Sequence, residues 1–300
     1  MGQLEDSPTA TSAPRTSIDP ATRLGAVALT ASDLARSRAF YEQAIGLRAS
    51  ELGNGTVSMG VDGGPALINL YGDPSAAPPD RRRTGLFHLA ILLPSRPDLA
   101  LALARLAAAN WPLDGASDHL VSEALYLSDP DGNGIEIYRD RPRQQWPRSD
   151  GRLQMATLPL DLRDLLGELP GGSDGAQPMP AATSIGHVHL QVSELLQSEQ
   201  FYCGVLGFDV IVRGYPGALF LSAGGYHHHI GLNTWNSAGA ARPAHGAVGL
   251  RSFEVVLPGS PQLEAVLENV RAANIETRPA GAATEIEDPS GNRLLLRADE

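Results

Sequence analysis

Eight histidines are spread over 300 residues, and several stand in apolar, strand-like runs. His187 and His189 are two apart in IGHVHLQV, so a strand places both on one face. Two imidazoles on an inner face suit metal ligation, or a hydrogen-bonded pair lining a polar cavity. His88 follows Phe87 in the apolar run LFHLAILL. A single histidine there fits either a ligand or a core histidine with its hydrogen bonds satisfied. Glu136 sits in GIEIY between Ile135 and Ile137, which must face the opposite side. Turned inward, Glu136 needs a cation or donors; turned outward, it leaves the two isoleucines to the core.

His227, His228 and His229 follow Gly224-Gly225 in what reads as a strand. Alternation puts His227 and His229 on one face, continuing to Gly231 and Asn233, with His228 on the other. The run could supply a further ligand, an acid/base group or substrate contacts. His119, in the loop before VSEALYLSDP, fits a general acid/base or a solvated bystander. Tyr138 follows Glu136 by two residues and shares its face, so it is expected to line the same pocket. Trp235 either walls that pocket or simply packs. His245, in a Pro/Ala/Gly loop, receives no role, and Arg81–Arg83 reads as a solvated surface run.

The elements that must position these groups come from a repeat. Leu24–Arg48 and Ile185–Asp209 are identical at nine of 25 ungapped positions. TGLFHLAILLP from Thr84 matches VGLRSFEVVLP from Val248. LYLSDPDGNGIEIYRD from Leu125 matches TEIEDPSGNRLLLRAD from Thr284. The order and near-constant offset indicate tandem units of domain size. Each half is itself doubled. Val27–Ala31 is strand-like, Asp33 is an N-cap for a helix that Gly46 ends, and glycine-rich strands follow to Tyr71. Leu89–Leu93 is a second strand, Pro97–Asn110 a second helix, and Asp129-Pro-Asp-Gly-Asn a tight turn between strands. The reading is α+β, four βαβββ modules in two tandem domains. Residues 1–20 form a Ser/Thr/Pro-rich disordered tail, 21–142 the N-terminal domain, 143–182 a Pro/Gly-rich linker with a short helix near Asp161–Glu168, and 183–300 the C-terminal domain.

Composition bounds the partners. The net charge of −11 argues against nucleic acid and anionic membrane. Apolar content of 42% and charged content of 19% suit a globular protein with a sizeable core. The single cysteine, Cys203, cannot close an intrachain disulfide and reads as a buried structural residue, which fits a reducing compartment. With no apolar span and no signal-peptide core, the cytoplasm is expected.

Asp33-Leu34 with Ser37 and Phe40-Tyr41, their counterparts Glu194-Leu195 with Ser198 and Phe201-Tyr202, and the turns Asp129–Glu136 and Asp288–Leu295 resemble the vicinal-oxygen-chelate superfamily. That superfamily holds glyoxalase I, extradiol dioxygenases, and bleomycin- and fosfomycin-resistance proteins. The resemblance covers nearly all of 24–298. SEALYLSDPDGNGIEIYRDRPR, TGLFHLAILLP and GGYHHHIGLNTW are closer still to the two-domain bacterial catechol-2,3-dioxygenases.

In that superfamily, metal ligands come from the first strand of a module and from the Glu of a DPDGNxIE turn. The first-strand positions here are Ala26, His88, His187 and Ser252; the last-strand positions are Glu136 and Leu295. The resemblance therefore assigns the metal to His88, Glu136 and His187, and leaves modules one and four without a site. Two imidazoles and a carboxylate form the facial triad of non-haem Fe(II) oxygenases. Neither repeat owns the whole set, so modules two and three must share one sheet. The implied activity is extradiol cleavage of a catechol-like aromatic diol by O2. Fe(II) or Mn(II) is the expected metal, His229, His189 and His119 the acid/base candidates, and His227, Asn233, Tyr138 and Trp235 the pocket. The alternatives are a glyoxalase-type isomerase or lyase with Zn or Ni and a fourth protein ligand, and a non-catalytic binding protein of the bleomycin-resistance type. A homo-oligomer is compatible with any of them.

Overall fold

The structure, a computed structural model, describes residues 17–171, 175, 177–244 and 246–299. Most of the expected tail, and His245, lie outside that set. The end of the tail region that is described is anchored. Ile18 is buried, and its N–H donates to the Gly207 carbonyl at 2.9 Å.

Asp33 caps the first helix, accepting from the Arg36 N–H, and Leu34–Phe40 is α-helical. The helix then widens into a π turn, Tyr41–Ile45, which Gly46 closes at φ +93°. The second repeat has the same order, Leu195–Glu199 and then Gln200–Val205. Within these turns, Tyr41 donates to Asp129 Oδ2 at 3.1 Å and Tyr202 to Asp288 Oδ2 at 3.0 Å. Each aspartate also accepts two backbone N–H groups through its other oxygen. The helix end of one module thus braces the turn of the next. The second helix runs Arg96–Ala108, capped by Ser95.

Among the described residues, two large sheets form. The eight-stranded sheet joins modules four and one through antiparallel pairing of Gly249–Leu257 with Arg23–Ala31. The nine-stranded sheet joins modules two and three through antiparallel pairing of Gly85–Leu93 with Ser184–Gln191. Each sheet therefore takes one module from each repeat. A continuous core, including Cys203, packs against both sheets.

The segment between the repeats is more structured than a plain linker. It contains short strands, Arg148–Ser149, Arg152–Leu153 and Leu158–Pro159, and a helix, Leu162–Leu166, capped by Asp161. Leu158–Pro159 adds to the nine-stranded sheet beside Gly115–Asp118. No helix among the described residues is long and apolar enough to cross a membrane.

Candidate metal centre and cavity

The register of three strands builds the centre. Ala90, in Gly85–Leu93, pairs with His187 on one side and with Glu136 on the other. His88 lies two residues from Ala90 and so shares its face. The small Ala90 side chain leaves space above it, and three longer side chains converge there. His88 Nε2 and His187 Nε2 are 3.3 Å apart, and each is 3.1 Å from Glu136 Oε2. Among the described residues these three form one group that could hold a metal ion.

The donor set fits a divalent cation. Bonds of about 2.1 Å at right angles place neighbouring donors about 3 Å apart, close to the separations here. All three residues are buried. Burial pushes His187 down to about 4, despite the opposing pull of Glu136, so the imidazole is neutral at pH 7. A buried carboxylate beside this neutral imidazole is suited to a bound cation, which supplies counter-charge. Burial and the nearby Glu136 charge hold the Tyr126 hydroxyl protonated.

The other sheet shows what replaces such a centre. Ser252 and Leu295 stand at the positions of His88 and Glu136. The position of Ala90 is taken by Glu254, which pairs with Leu295 in the ladder. The Glu254 carboxylate accepts from Arg297 at 2.9 Å and from the Ala26 N–H at 3.2 Å. An ion pair fills the middle of that sheet, and a Cβ on Gly25 would collide with Glu254.

A cavity of about 250 Å3 opens on His88 and Glu136 of this group. His88, Glu136, His189, His119, His228 and Trp235 all line it. His189 is buried with Nε2 unpartnered, and burial first, then nearby imidazoles, keep it neutral. Trp235 is 45% exposed and stands at the mouth, its indole N–H donating to the Pro216 carbonyl at 2.9 Å. A larger cleft of about 440 Å3 lies elsewhere, among Arg81, Arg83, Arg242, Arg251 and Arg293, and contains none of His88, Glu136 and His187.

Several expected pocket residues are placed differently. His227–His229 are not in a strand; the strand starts at Ile230, so alternation does not govern them. His229 does not line the cavity: its Nδ1 accepts the Ala223 N–H at 3.1 Å and its ring packs on Tyr226. His227 also lies behind the cavity, 2.9 Å from Asp140 Oδ1 and 2.9 Å from His228 Nδ1. Tyr138 is buried against the back of His187, with its hydroxyl 2.7 Å from that of Tyr226. Asn233 is fully buried at the end of its strand, away from the cavity. His119 lines the cavity, but both ring nitrogens are engaged, by the Ala156 carbonyl and the Tyr126 hydroxyl, each at 2.7 Å.

Sequence reasoning passed over His228. Its ring lies on that of His187, with centroids 4.0 Å apart, and meets Phe220 at 5.0 Å. The bonding order sets its tautomer. With both rings neutral and the Asp140 carboxylate ionised, His227 donates its Nε2–H to Asp140 and accepts at Nδ1 from His228 Nδ1–H, an assignment made from the network. The lone pair of His228 is then on Nε2. The signal in the sequence was the triplet itself, but strand parity pointed to the wrong member.

The model of the Glyoxalase/Bleomycin resistance protein/Dioxygenase superfamily matches residues 23–137 and 184–296. This chain belongs to that superfamily. It is 45% identical over 278 residues to the catechol-2,3-dioxygenase of Bacillus subtilis strain 168, covering 91% of this chain and 96% of that protein. Among solved structures, glyoxalase I from Zea mays aligns over 92% of both chains with a TM-score of 0.55 at 15% identity. The cppA protein of Streptococcus pneumoniae TIGR4 aligns over 95% of this chain and all of its own, with a TM-score of 0.55 at 11% identity. These last two show the shared fold.

Proposed function

We propose that this protein is a metal-dependent extradiol dioxygenase that opens a catechol-like ring with O2. The observation that carries the reading is the convergence of His88, Glu136 and His187, without a fourth His, Cys, Asp or Glu among the described residues, beside a mostly apolar cavity that His88 and Glu136 line. Three protein donors leave neighbouring positions for two substrate oxygens and O2. The 45% identity to a catechol-2,3-dioxygenase over most of both chains supports the same chemistry.

His88, His187 and Glu136 would hold Fe(II), with Mn(II) as the second choice for this donor set. When bound, the metal supplies two-point chelation of a catecholate and electron transfer from it to O2. The chain's own residues do the rest. Phe87, Phe220 and Trp235 enclose the ring and exclude water. His228, with its lone pair on Nε2 and its Nδ1 anchored through His227 to Asp140, takes a proton from a substrate hydroxyl and later returns it. His189 is the second candidate, since its Nε2 has no protein partner. His119 acts as an anchor, holding Ala156 and Tyr126. The product carries both oxygen atoms and one new carboxylate-aldehyde pair in place of the broken ring bond.

A glyoxalase-type isomerase using Zn or Ni needs a fourth protein ligand, and no side chain in the three-residue group provides one. A binding protein of the bleomycin-resistance type has no use for a buried carboxylate between imidazoles. The test is anaerobic reconstitution with Fe(II), then catechol and air. Yellow ring-fission product with equimolar O2 uptake is expected, and both should vanish in His187→Ala. Isomerase activity on a thiol adduct, with no turnover of any catechol, would overturn the reading.

A further inference from the structure

We infer that the cavity selects an uncharged catechol carrying an apolar ring substituent, and that the strap Met155–Thr157 between the repeats is the wall that selects it. This rests on the dioxygenase reading above. The strap is an element that the repeated modules do not themselves contain.

The size of the cavity is the first argument. A dry cavity of roughly 150 Å3 accommodates benzene. The cavity here is about 250 Å3, so it has space beyond a bare ring with two hydroxyls. The second argument is the lining. Phe87, Phe220, Trp235, Met155 and Tyr215 face that space, and no lysine or arginine lines it. Glu136 is its only carboxylate. An ionised carboxylate on the ring would leave water for a mostly apolar wall with no lysine or arginine to pair with it, a costly transfer. An alkyl group would instead bury apolar surface against Met155 and the aromatic rings.

The third argument is that the strap is tied on both sides. His119 holds Ala156 twice: the Ala156 carbonyl lies 2.7 Å from the ring nitrogen His119 Nδ1, and the Ala156 N–H donates to the His119 backbone carbonyl at 3.4 Å. Leu158–Pro159 then joins the sheet edge at Asp118 and Ser117. On the far side, Thr157 Oγ1 is 2.6 Å from the Tyr215 hydroxyl, which belongs to the other repeat. The strap thus closes the cavity between module two and module three. A side chain exchanged on it changes the wall without touching the ligand strands.

The experiment compares catechol, 4-methylcatechol and 3,4-dihydroxybenzoate on the Fe(II)-loaded protein. Anaerobic binding is followed by Trp fluorescence and ring cleavage by kcat/KM. The expected result is 4-methylcatechol equal to or better than catechol, and both at least about tenfold better than 3,4-dihydroxybenzoate in binding and in kcat/KM. Thr157→Arg, at the exposed end of the strap, should narrow that gap by about tenfold through pairing with the carboxylate. Equal or preferred use of 3,4-dihydroxybenzoate by the native protein, with catechol still cleaved, would overturn the inference and leave the dioxygenase reading intact. An unchanged gap in Thr157→Arg of native melting temperature would overturn the role of the strap. Failure to bind or cleave any of the three would overturn both readings.

Discussion

His88 Nε2 and His187 Nε2 stand 3.3 Å apart although 99 positions and a repeat boundary separate them. The strands that carry them are hydrogen-bonded neighbours, with His189 directly opposite His88 and His187 opposite Ala90. The centre therefore depends on the contact between the repeats.

Loss of any one ligand should release the metal. His88→Ala, Glu136→Gln and His187→Ala are each expected to weaken Fe(II) affinity by at least about 100-fold, since changes to residues that merely orient ligands already cost 10- to 100-fold. Ring cleavage should fall by about a thousandfold or more, the equivalent of several kcal/mol of barrier. Metal analysis after gel filtration and O2 uptake check both. Retention of one equivalent of Fe by His187→Ala would sink the assignment.

The histidine triplet offers a sharper comparison. His228→Ala should lower kcat by about 100- to 1,000-fold while keeping its metal. His229→Ala should stay within about twofold of native activity, because its ring points at Ala223 and Tyr226 rather than into the cavity. Steady-state kinetics beside metal content decide the case; equal losses in both variants would remove His228 from the mechanism.

The two braced turns predict a matched pair. Tyr41→Phe and Tyr202→Phe each remove a hydroxyl that donates to a buried aspartate, at a cost of about 1–3 kcal/mol. Urea unfolding should show similar losses for both. Metal affinity should fall, by up to about tenfold, in Tyr41→Phe alone. The turn at Asp129 leads to Glu136, whereas the turn at Asp288 leads to Leu295, which ligates nothing.

Acid should destabilise the protein through its buried histidines. His229 is pushed to about 3, by burial first and His227 second. Its value in the unfolded chain is about 6.5, so between these values the unfolded state binds more protons. The stability that neutral His229 contributes is complete above pH 6.5 and is lost as pH falls toward 3. His229→Asn should flatten this slope by about 3 kcal/mol between pH 6.5 and 4. Unfolding midpoints across that range supply the check, and an unchanged slope would contradict the burial argument.

Much of the fold was legible because its signals are local or repeated. Asp33 as N-cap, Gly46 as stop, and the Asp129 and Asp288 turns each act through a few adjacent residues, and duplication printed the glycine stop and the turn twice, though not the cap, since Glu194 makes no capping bond. Burial of Cys203 followed from its type. The convergence of His88, Glu136 and His187 was legible through resemblance at aligned positions, and the lack of His or carboxylate at Ala26, Ser252 and Leu295 pointed to sharing between the repeats. The widening of the first helices into π turns at Tyr41 and Tyr202 carries no pattern of its own, since it arises where a buried tyrosine reaches a distant aspartate.

The amino-acid sequence by itself determined the modules, their caps and turns, and which of them retain imidazole and carboxylate at the ligand positions. Tertiary structure alone decided which other side chains meet that centre. His228 faces the cavity, and His229 does not, because the triplet lies in a loop, where strand alternation has no force. Tyr138 and Asn233 were expected in the pocket from strand parity, yet they sit behind it. Parity gives the face of a strand but not which part of that face is covered by packing. The strap at Met155–Thr157 became a wall of the site through contacts with His119 and Tyr215, each dozens of residues away, and no local pattern encodes such contacts.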